Sequence, residues 1–532
     1  MTTFGPVRLI IAASAIAFVF ASPSAAAPAA DFDERMDALL QASGTPGAAV
    51  AIVEAGQPPI VRAYGVRRLG RPGPVGANTV FPIASVSKAF TSAALGILVD
   101  EGKLGWDDPV IDHLPQFQMH DPWVTREMTV RDLLVHRSGL GLGAGDLLFW
   151  PRSTRTRADT VKALRHLPPT TSFRSGYAYD NVLYIVAGQL IEAVSGQTWE
   201  TFVQDRILAP AGMATAVVTS EDLFASPDRA TPHARLNGEV RGLGAMTALD
   251  EGHVLSANAA PAGGIAASAE DMGRWIALQL ARGALADGRG RLFSAATAEE
   301  MWTPQTLIPR NVAAVPPGAA PLFSTYALGW RVIDYRGYRI IWHTGGIIGF
   351  RSVAVLAPEL NVGFAILTNA EDTGLIMGLM YELLDHYADP VAPRQNWPEQ
   401  WAELMATRAE ARVEERLSKP SLTRPPLPLN AYIGAYRDPW YGPITVVRQD
   451  DRLVMDFPQT PGLRGVLAPW SGDTFLAEWE GEGYEPALVT YAFTAEGEVE
   501  EIRVKAASPL ADFSYDFQDL RIRPAGTAGA PE

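Results

Sequence analysis

The stretch Lys419 to Pro428 (KPSLTRPPLP) carries four prolines and separates two parts of the chain that follow different hydrophobic rhythms. A segment so rich in proline continues neither a helix nor a sheet ladder, so it marks a boundary between folding units. From about Phe32 to Asp389 helix-like and strand-like segments are mixed. From about Leu427 to Pro524 the apolar runs are short and alternating, as in Ile444 to Arg448, Leu453 to Phe457, Leu488 to Thr494 and Val499 to Lys505. Turn signals at Asp450-Asp451, Ser471-Gly472 and Glu496-Gly497 separate them. The pattern predicts a mixed domain over residues 31–390 and a helical and proline-rich linker over 391–426, with Trp401 to Leu417 helical. A small all-β barrel or sandwich follows over 427–524, then a disordered tail over 525–532.

Composition excludes several classes of function. The net charge of -15, with no clustered basic stripe, opposes a phosphate backbone, so nucleic acid is not an expected partner. Cysteine is absent, which removes disulfides, thiolate metal sites and cysteine nucleophiles together. None of the eight histidines stands at a familiar metal spacing, so neither a metal nor a cofactor is expected. Covalent chemistry must use oxygen or nitrogen.

The chain opens with Arg8, the apolar run Leu9 to Ala21, Ser22-Pro23-Ser24 and the small residues Ala25 to Ala27. This is the pattern of a secretory signal over residues 1–26, cut after Ala26, and it predicts a periplasmic or secreted product. The run falls short of the roughly 20 residues that span a bilayer, and no later stretch is longer and as apolar. No integral membrane segment is therefore expected after cleavage.

Three short elements carry the chemistry. The first is Ser85-Val86-Ser87-Lys88, at the start of a helix-like segment from Ser85 to Glu101 that Gly102 stops. Residues three apart share a helix face, so the lysine amine can meet the serine hydroxyl. A serine becomes a nucleophile only with a base beside it, and a desolvated lysine can serve. The chain uses five lysines against 39 arginines, and only lysine can give up its proton. The second is Tyr179-Asp180-Asn181, ahead of the apolar segment Val182 to Val194: a phenol that can relay a proton and an amide that can hold an ammonium group. The third is His343-Thr344-Gly345-Gly346, read as following a strand over Gly337 to Trp342, where backbone N–H groups at a strand edge can bind an oxyanion or a peptide. The glycine-rich run Gly139 to Gly145 reads as a flexible loop. No Gly-x-Ser-x-Gly elbow is present.

These elements, in this order, resemble the motifs of the penicillin-recognising serine hydrolases: class C β-lactamases, D-Ala-D-Ala carboxypeptidases, D-aminopeptidases and β-lactamase-like esterases. Flanking residues agree, among them Phe81-Pro82-Ile83-Ala84, His136-Arg137-Ser138-Gly139-Leu140, Pro261-Ala262-Gly263-Gly264 and Leu328-Gly329-Trp330. The C-terminal part, with Tyr432 to Tyr436 and Asp512 to Phe517, resembles the lipocalin-like domain appended to some peptidase-like members.

The resemblance implies an α+β fold, an antiparallel sheet flanked by helices plus a helical cluster, with the site between them. It implies Ser85 as the acylated nucleophile, Lys88 as its base and Tyr179 as the partner that protonates the leaving group and activates water. Asn181 would hold Lys88 and the substrate amide, and the N–H groups of Ser85 and Gly346 would form the oxyanion hole. His343 stands where the β-lactamases usually carry lysine, and it is mostly neutral at pH 7. Gly346 also removes a hydroxyl that many relatives have. Both changes point away from β-lactam turnover. The expected activity is that of an exported peptidase or amidase acting on short or unusual peptides, such as D-residue peptides or linearised cyclic peptides. A β-lactamase-like carboxylesterase is the alternative, and a non-catalytic binding or scaffolding protein is the alternative of another class. A short-peptide or small-molecule substrate is the expected partner, and a homo-oligomer is left open.

Overall fold

The computed structural model describes residues 28–250, 252, 254–414, 427–508 and 511–526. The expected signal segment, most of the proline-rich connector and most of the expected tail lie outside the described residues.

Strand β1 (Gly47–Glu54) shows how the large domain is layered. Its side chains alternate between two cores: Ala48, Val50 and Ile52 on one face, Ala49, Ala51 and Val53 on the other. A strand apolar on both faces has to be covered on both. The sheet adds β2 (Ile60–Gly65), β3 (Thr306–Leu307), β4 (Ser324–Tyr326), β5 (Arg331–Tyr335), β6 (Tyr338–Ile347), β7 (Phe350–Ala357) and β8 (Val362–Thr368). The order is β2-β1-β8-β7-β6-β5-β4-β3, antiparallel throughout.

The covering helices are α1 (Phe32–Ser43), α2 (Ser87–Asp100), α3 (Val182–Ser195), α4 (Ala269–Leu280), α5 (Thr373–Ala388) and α6 (Trp397–Glu414). Helices α1, α5 and α6 close one face through Met36, Leu40, Leu379, Leu383, Trp397 and Trp401. On the other, α4 packs against β1 and β8, and α2 and α3 form a helical cluster beyond it. Phe90 of α2 stacks on Trp275 of α4 with ring centroids 3.8 Å apart. Each buried aromatic side chain of this kind contributes roughly 1.5–3 kcal/mol.

The C-terminal part folds as β9 (Gly434–Asp438), β10 (Gly442–Gln449), β11 (Arg452–Asp456), β12 (Arg464–Ser471), β13 (Thr474–Trp479), β14 (Ala487–Phe493), β15 (Val499–Ala506) and β16 (Arg523–Pro524). It is a nearly closed antiparallel barrel: β16 pairs with β9, and a bridge from Ile522 to Ile502 ties the preceding residue back to β15. The α+β architecture followed by an all-β unit is the one implied by the sequence.

Between β15 and β16 the chain leaves the barrel and packs into the large domain. Asp516, fully buried, accepts hydrogen bonds from the backbone N–H groups of Gly145 (2.6 Å) and Leu147 (3.0 Å). The glycine-rich run that reads as a flexible loop is therefore packed under the barrel, with Leu140 and Ala144 buried. Gly143 has φ +69°, and a Cβ there would lie 2.7 Å from Phe513, so the contact admits only glycine.

Candidate active site

Ser85 lies in a 3-10 turn, Ala84–Val86, that feeds directly into α2. Ala84 has φ +46°, a left-handed conformation costly for a residue with a side chain. The turn is held from two sides: Ile83 N donates to Ile265 O at 3.0 Å, and Ser352 Oγ donates to Ile83 O at 2.9 Å. Gly345 of β6 lies against the same carbonyl, which a Cβ at that position would meet at 2.0 Å. Strand β6 and the serine turn thus touch only because residue 345 has no side chain.

Lys88, the second residue of α2 and three positions after Ser85, is fully buried. Its Nζ donates to Ser85 Oγ (3.1 Å), Asn181 Oδ1 (2.7 Å) and Ala262 O (2.8 Å). Asn181 occupies the N-cap of α3, yet its side chain caps nothing, because both ends of the amide are engaged elsewhere. The Tyr179 ring sits 4.9 Å from Lys88 Nζ, and Tyr179 and Ser85 line the same cavity. The flanking His136 supports this arrangement: its ring lies 4.2 Å from that of Tyr179, and its Nδ1 accepts from Asp180 N.

The His343-Thr344-Gly345-Gly346 element, expected to follow a strand, is instead part of it. Strand β6 runs on through it to Ile347, paired with β7 as far as Ile347 opposite Phe350. It is β5 that stops, its pairing ending at Arg331 opposite Trp342. From residue 343 onward one edge of β6 is thus unpaired with β5. Ser85, Tyr179, Asn181, His343, Thr344, Gly345 and Gly346 all line one cavity of about 410 Å³.

The sequence matches the Beta-lactamase family over residues 32–386. The chain belongs to the beta-lactamase family. A domain of unknown function, DUF3471, matches residues 418–524. Among curated relatives, the unguisins hydrolase ungD' of Aspergillus campestris is 30% identical over 80% of this chain and 79% of its own length. A D-aminopeptidase of Cereibacter sphaeroides is 27% identical over 69% of this chain and 66% of its own. The octameric penicillin-binding protein homologue from Pyrococcus abyssi matches in structure with a TM-score of 0.56 at 18% identity, covering 92% of this chain and 98% of that one. The likeness in fold to the Pyrococcus abyssi homologue thus extends over both parts of the chain, while the family match is confined to the large domain.

The electrostatics of this family member's cavity follow from burial. Desolvation pulls the Lys88 ammonium from its ordinary 10.5 down to about 7, against the opposing pull of Asp146 and Asp180. Desolvation pushes the Tyr179 phenol well above 10, so it stays protonated at neutral pH. His343, buried and near Lys88 and Arg331, is held well below 6.5 and carries no charge. Cations nevertheless reach the cavity from the neighbouring strands, through Arg331 and Arg351. Among the described residues neither is ion-paired with a carboxylate, and Arg331 donates to Tyr177 Oη at 3.0 Å.

Several groups at the site belong to none of the three elements. The Ala262 carbonyl lies in the Pro261-Ala262-Gly263-Gly264 flank, which the sequence offers only as part of the family resemblance. Asp146 reaches Asn181 from the glycine-rich loop. Asp512, Phe513, Ser514 and Tyr515 line the cavity from the barrel side. Among the described residues no three His, Asp or Glu side chains are grouped to hold a metal ion, and no helix is long and apolar enough to cross a membrane.

Proposed function

We propose that this beta-lactamase-family hydrolase is exported and cleaves amide bonds in short or unusual peptides, such as D-residue or linearised cyclic peptides, through an acyl-enzyme on Ser85. The observation that carries this reading is the contact between Lys88 and Ser85: a fully buried amine 3.1 Å from the hydroxyl, with its proton affinity lowered to near neutrality. Neutral Lys88 takes the Ser85 proton as Oγ attacks the carbonyl carbon. The resulting oxyanion is held by the N–H groups of Ser85 and Gly346. The proton then passes through Tyr179 to the leaving amine, the C–N bond breaks, and the acyl group stays on Ser85. Water, giving its proton back along the same path, releases the acid. Tyr179 works here as a phenol, because its burial disfavours the phenolate that a rival base role would need.

A peptide substrate is favoured by β6, whose edge beyond Trp342 is left unpaired by β5 beside Ser85 and can accept an extended backbone. The names of two relatives, an unguisins hydrolase and a D-aminopeptidase, accord with this substrate class. A homo-oligomer is part of the proposal, as the Pyrococcus abyssi homologue is described as octameric.

The reading is tested by incubating the protein with a fluorophosphonate and weighing it intact. One adduct that disappears in Ser85→Ala is expected, and an unlabelled folded protein rejects covalent catalysis. D-residue p-nitroanilides should then turn over faster than nitrocefin, and the reverse order rejects the substrate class. Recovery of a mature N-terminus near Ala27 from outside the cytoplasm tests export.

A further inference from the structure

The polar chain that starts at Ser85 and Lys88 does not end at Asn181. Asn181 Nδ2 donates to Asp146 Oδ2 at 2.9 Å, and Ser514 Oγ, from the barrel segment, donates to the same oxygen at 2.7 Å. All three side chains are buried: Asn181 is 7%, Asp146 0% and Ser514 8% exposed. The barrel also clamps the backbone on either side of Asp146, through the two bonds from Gly145 and Leu147 to Asp516.

A primary amide has a donor end and an acceptor end, so the group that faces one end decides what the other end presents. The acceptor oxygen of Asp146 takes the NH₂ of Asn181, and the amide oxygen is thereby turned to Lys88. A donor in place of Asp146 would favour the flipped amide, with its NH₂ against the lysine Nζ. We infer that Asp146 is a positioning residue for acylation: it locks the Asn181 amide with its oxygen on Lys88, and the Ser514 hydroxyl makes that lock depend on the docked barrel. The inference rests on the reading of Lys88 as the base of Ser85.

The charge arrangement suits the role. Burial pushes the Asp146 carboxyl up to about 8, Asp512 adds to the shift, and Lys88 opposes it. Asp516 lies close by and is itself raised by burial and by Asp146. A neutral Asp146 still offers an acceptor oxygen to Asn181 without setting a full negative charge near Lys88, which would keep the lysine protonated. The other groups facing Lys88 are Asp180, His136 and His343, with Tyr179 and Tyr184 ring faces beside it.

The test compares full-length Asp146→Asn, Asp146→Ala and Ser514→Ala with wild type, following the rate of Ser85 modification by a fluorophosphonate as a function of pH. Asp146→Ala frees the amide to rotate and should slow acylation by about 10- to 100-fold, as a small misplacement of a reacting group does. Ser514→Ala removes one hydrogen bond and should slow it by about three- to tenfold. In both, loss of the amide oxygen from Lys88 destabilises the ammonium form, so the acid limb moves to lower pH. Asp146→Asn keeps an acceptor oxygen and should restore most of the rate. A purely structural role would lower the melting temperature and leave the pH limb of the folded fraction in place. The inference is overturned if Ser514→Ala and Asp146→Ala acylate at the wild-type rate with an unmoved limb, or if Asp146→Asn is as slow as Asp146→Ala. Those outcomes leave the serine mechanism standing, whereas absence of any adduct in wild type removes both. Should Asp146→Ala not fold, Ser514→Ala and Asp146→Asn decide the matter between them.

Discussion

The Tyr326 hydroxyl lies 2.8 Å from His343 Nε2, and since burial keeps the imidazole neutral, the partner of its other nitrogen fixes the tautomer. His343 Nδ1 faces Thr344 O at 2.6 Å, and a carbonyl can only accept, so Nδ1 carries the proton and Nε2 accepts from Tyr326. A protonated His343 would instead donate from Nε2 to the Tyr326 oxygen, and it is burial, with Lys88 and Arg331 nearby, that disfavours that charged form. The position that usually carries a lysine cation in β-lactamases is therefore occupied by a neutral ring, and Arg331 and Arg351 bring positive charge to the cavity instead.

His343 should remain neutral from pH 5 to pH 8, because burial, with Lys88 and Arg331 nearby, holds its pKa well below 6.5. Its imidazole NMR signals should stay at neutral-form shifts across that range, and a titration midpoint near 6.5 would contradict the assignment. Tyr326→Phe leaves Nε2 buried without a donor and should cost about 1–3 kcal/mol in a denaturant titration.

Acylation should rise with pH through about 7, the value to which burial brings Lys88, because only neutral Lys88 can take the Ser85 proton. Lys88→Arg keeps the charge and cannot deprotonate, so single-turnover acylation should fall about 10²- to 10⁴-fold. Tyr179→Phe should be milder at this step and more damaging at amine release, since its phenol is kept protonated. A Lys88→Arg protein that acylates nearly as fast as wild type would transfer the base role to Tyr179.

The same shift has a consequence for folding. Unfolded Lys88 holds its proton up to about 10.5, folded Lys88 only to about 7, so between these values the unfolded chain binds more protons and stability rises with pH. Asp146 acts in the opposite sense: its folded pKa of about 8 exceeds the ordinary 3.8, so its contribution is complete below 3.8 and is lost as pH rises through 8. Lys88→Met should therefore stabilise the protein more at pH 6 than at pH 10, and Asp146→Asn should flatten the decline between pH 4 and pH 8. Denaturant midpoints across pH measure both, and a Lys88→Met gain independent of pH would show that the lysine is not desolvated.

Much of this site is legible in the sequence because each motif is local. Ser85 and Lys88 sit one turn apart and meet through helix geometry alone. The four barrel strands read from alternation, Ile444 to Arg448 among them, form within one or two residues of their expected ends, since a period of two is fixed by the pleat. The end of α2 is also local: Gly102 N bonds to Val99 O and Lys103 N to Leu98 O, the closing pattern that a glycine just past a helix provides. The extent of β6 is less legible, because a strand containing Thr-Gly-Gly looks finished where only its neighbour is. Asp146 and Ser514 are illegible by periodicity or motif. They are 368 positions apart, and nothing in either neighbourhood signals that the barrel's Ser514 will meet a carboxyl under the glycine loop. The neutral state expected of His343 is enforced by its burial, while Arg331 and Arg351, which bring positive charge from adjacent strands, belong to no motif.

The proline-rich connector and the docked barrel together predict how the chain responds to a protease. Proline-rich sequence resists packing, so limited proteolysis is expected to cut first between Ser418 and Leu427. The two pieces should nevertheless stay together, because the contacts that join them do not pass through the connector. Arg155 donates to Tyr441 O and lies over the Tyr441 ring, and Ser153 Oγ and Thr154 N both donate to Gln459 O at 3.0 and 2.9 Å. Arg241 bridges Glu371 of the large domain and Gly483 O of the barrel, and Glu371 in turn accepts from Gly349 N at the β6–β7 turn. Asp516 adds the two buried backbone bonds at Gly145 and Leu147. Asp516→Ala leaves both N–H groups buried without partners, at about 1–3 kcal/mol each, so the nicked variant should separate on gel filtration where nicked wild type co-elutes. Because residues 512–515 form one wall of the cavity, separation should also abolish amide turnover while the large fragment retains its fold by circular dichroism. A nicked wild-type protein that falls apart with full activity in the large fragment would show that the barrel contributes nothing to the site.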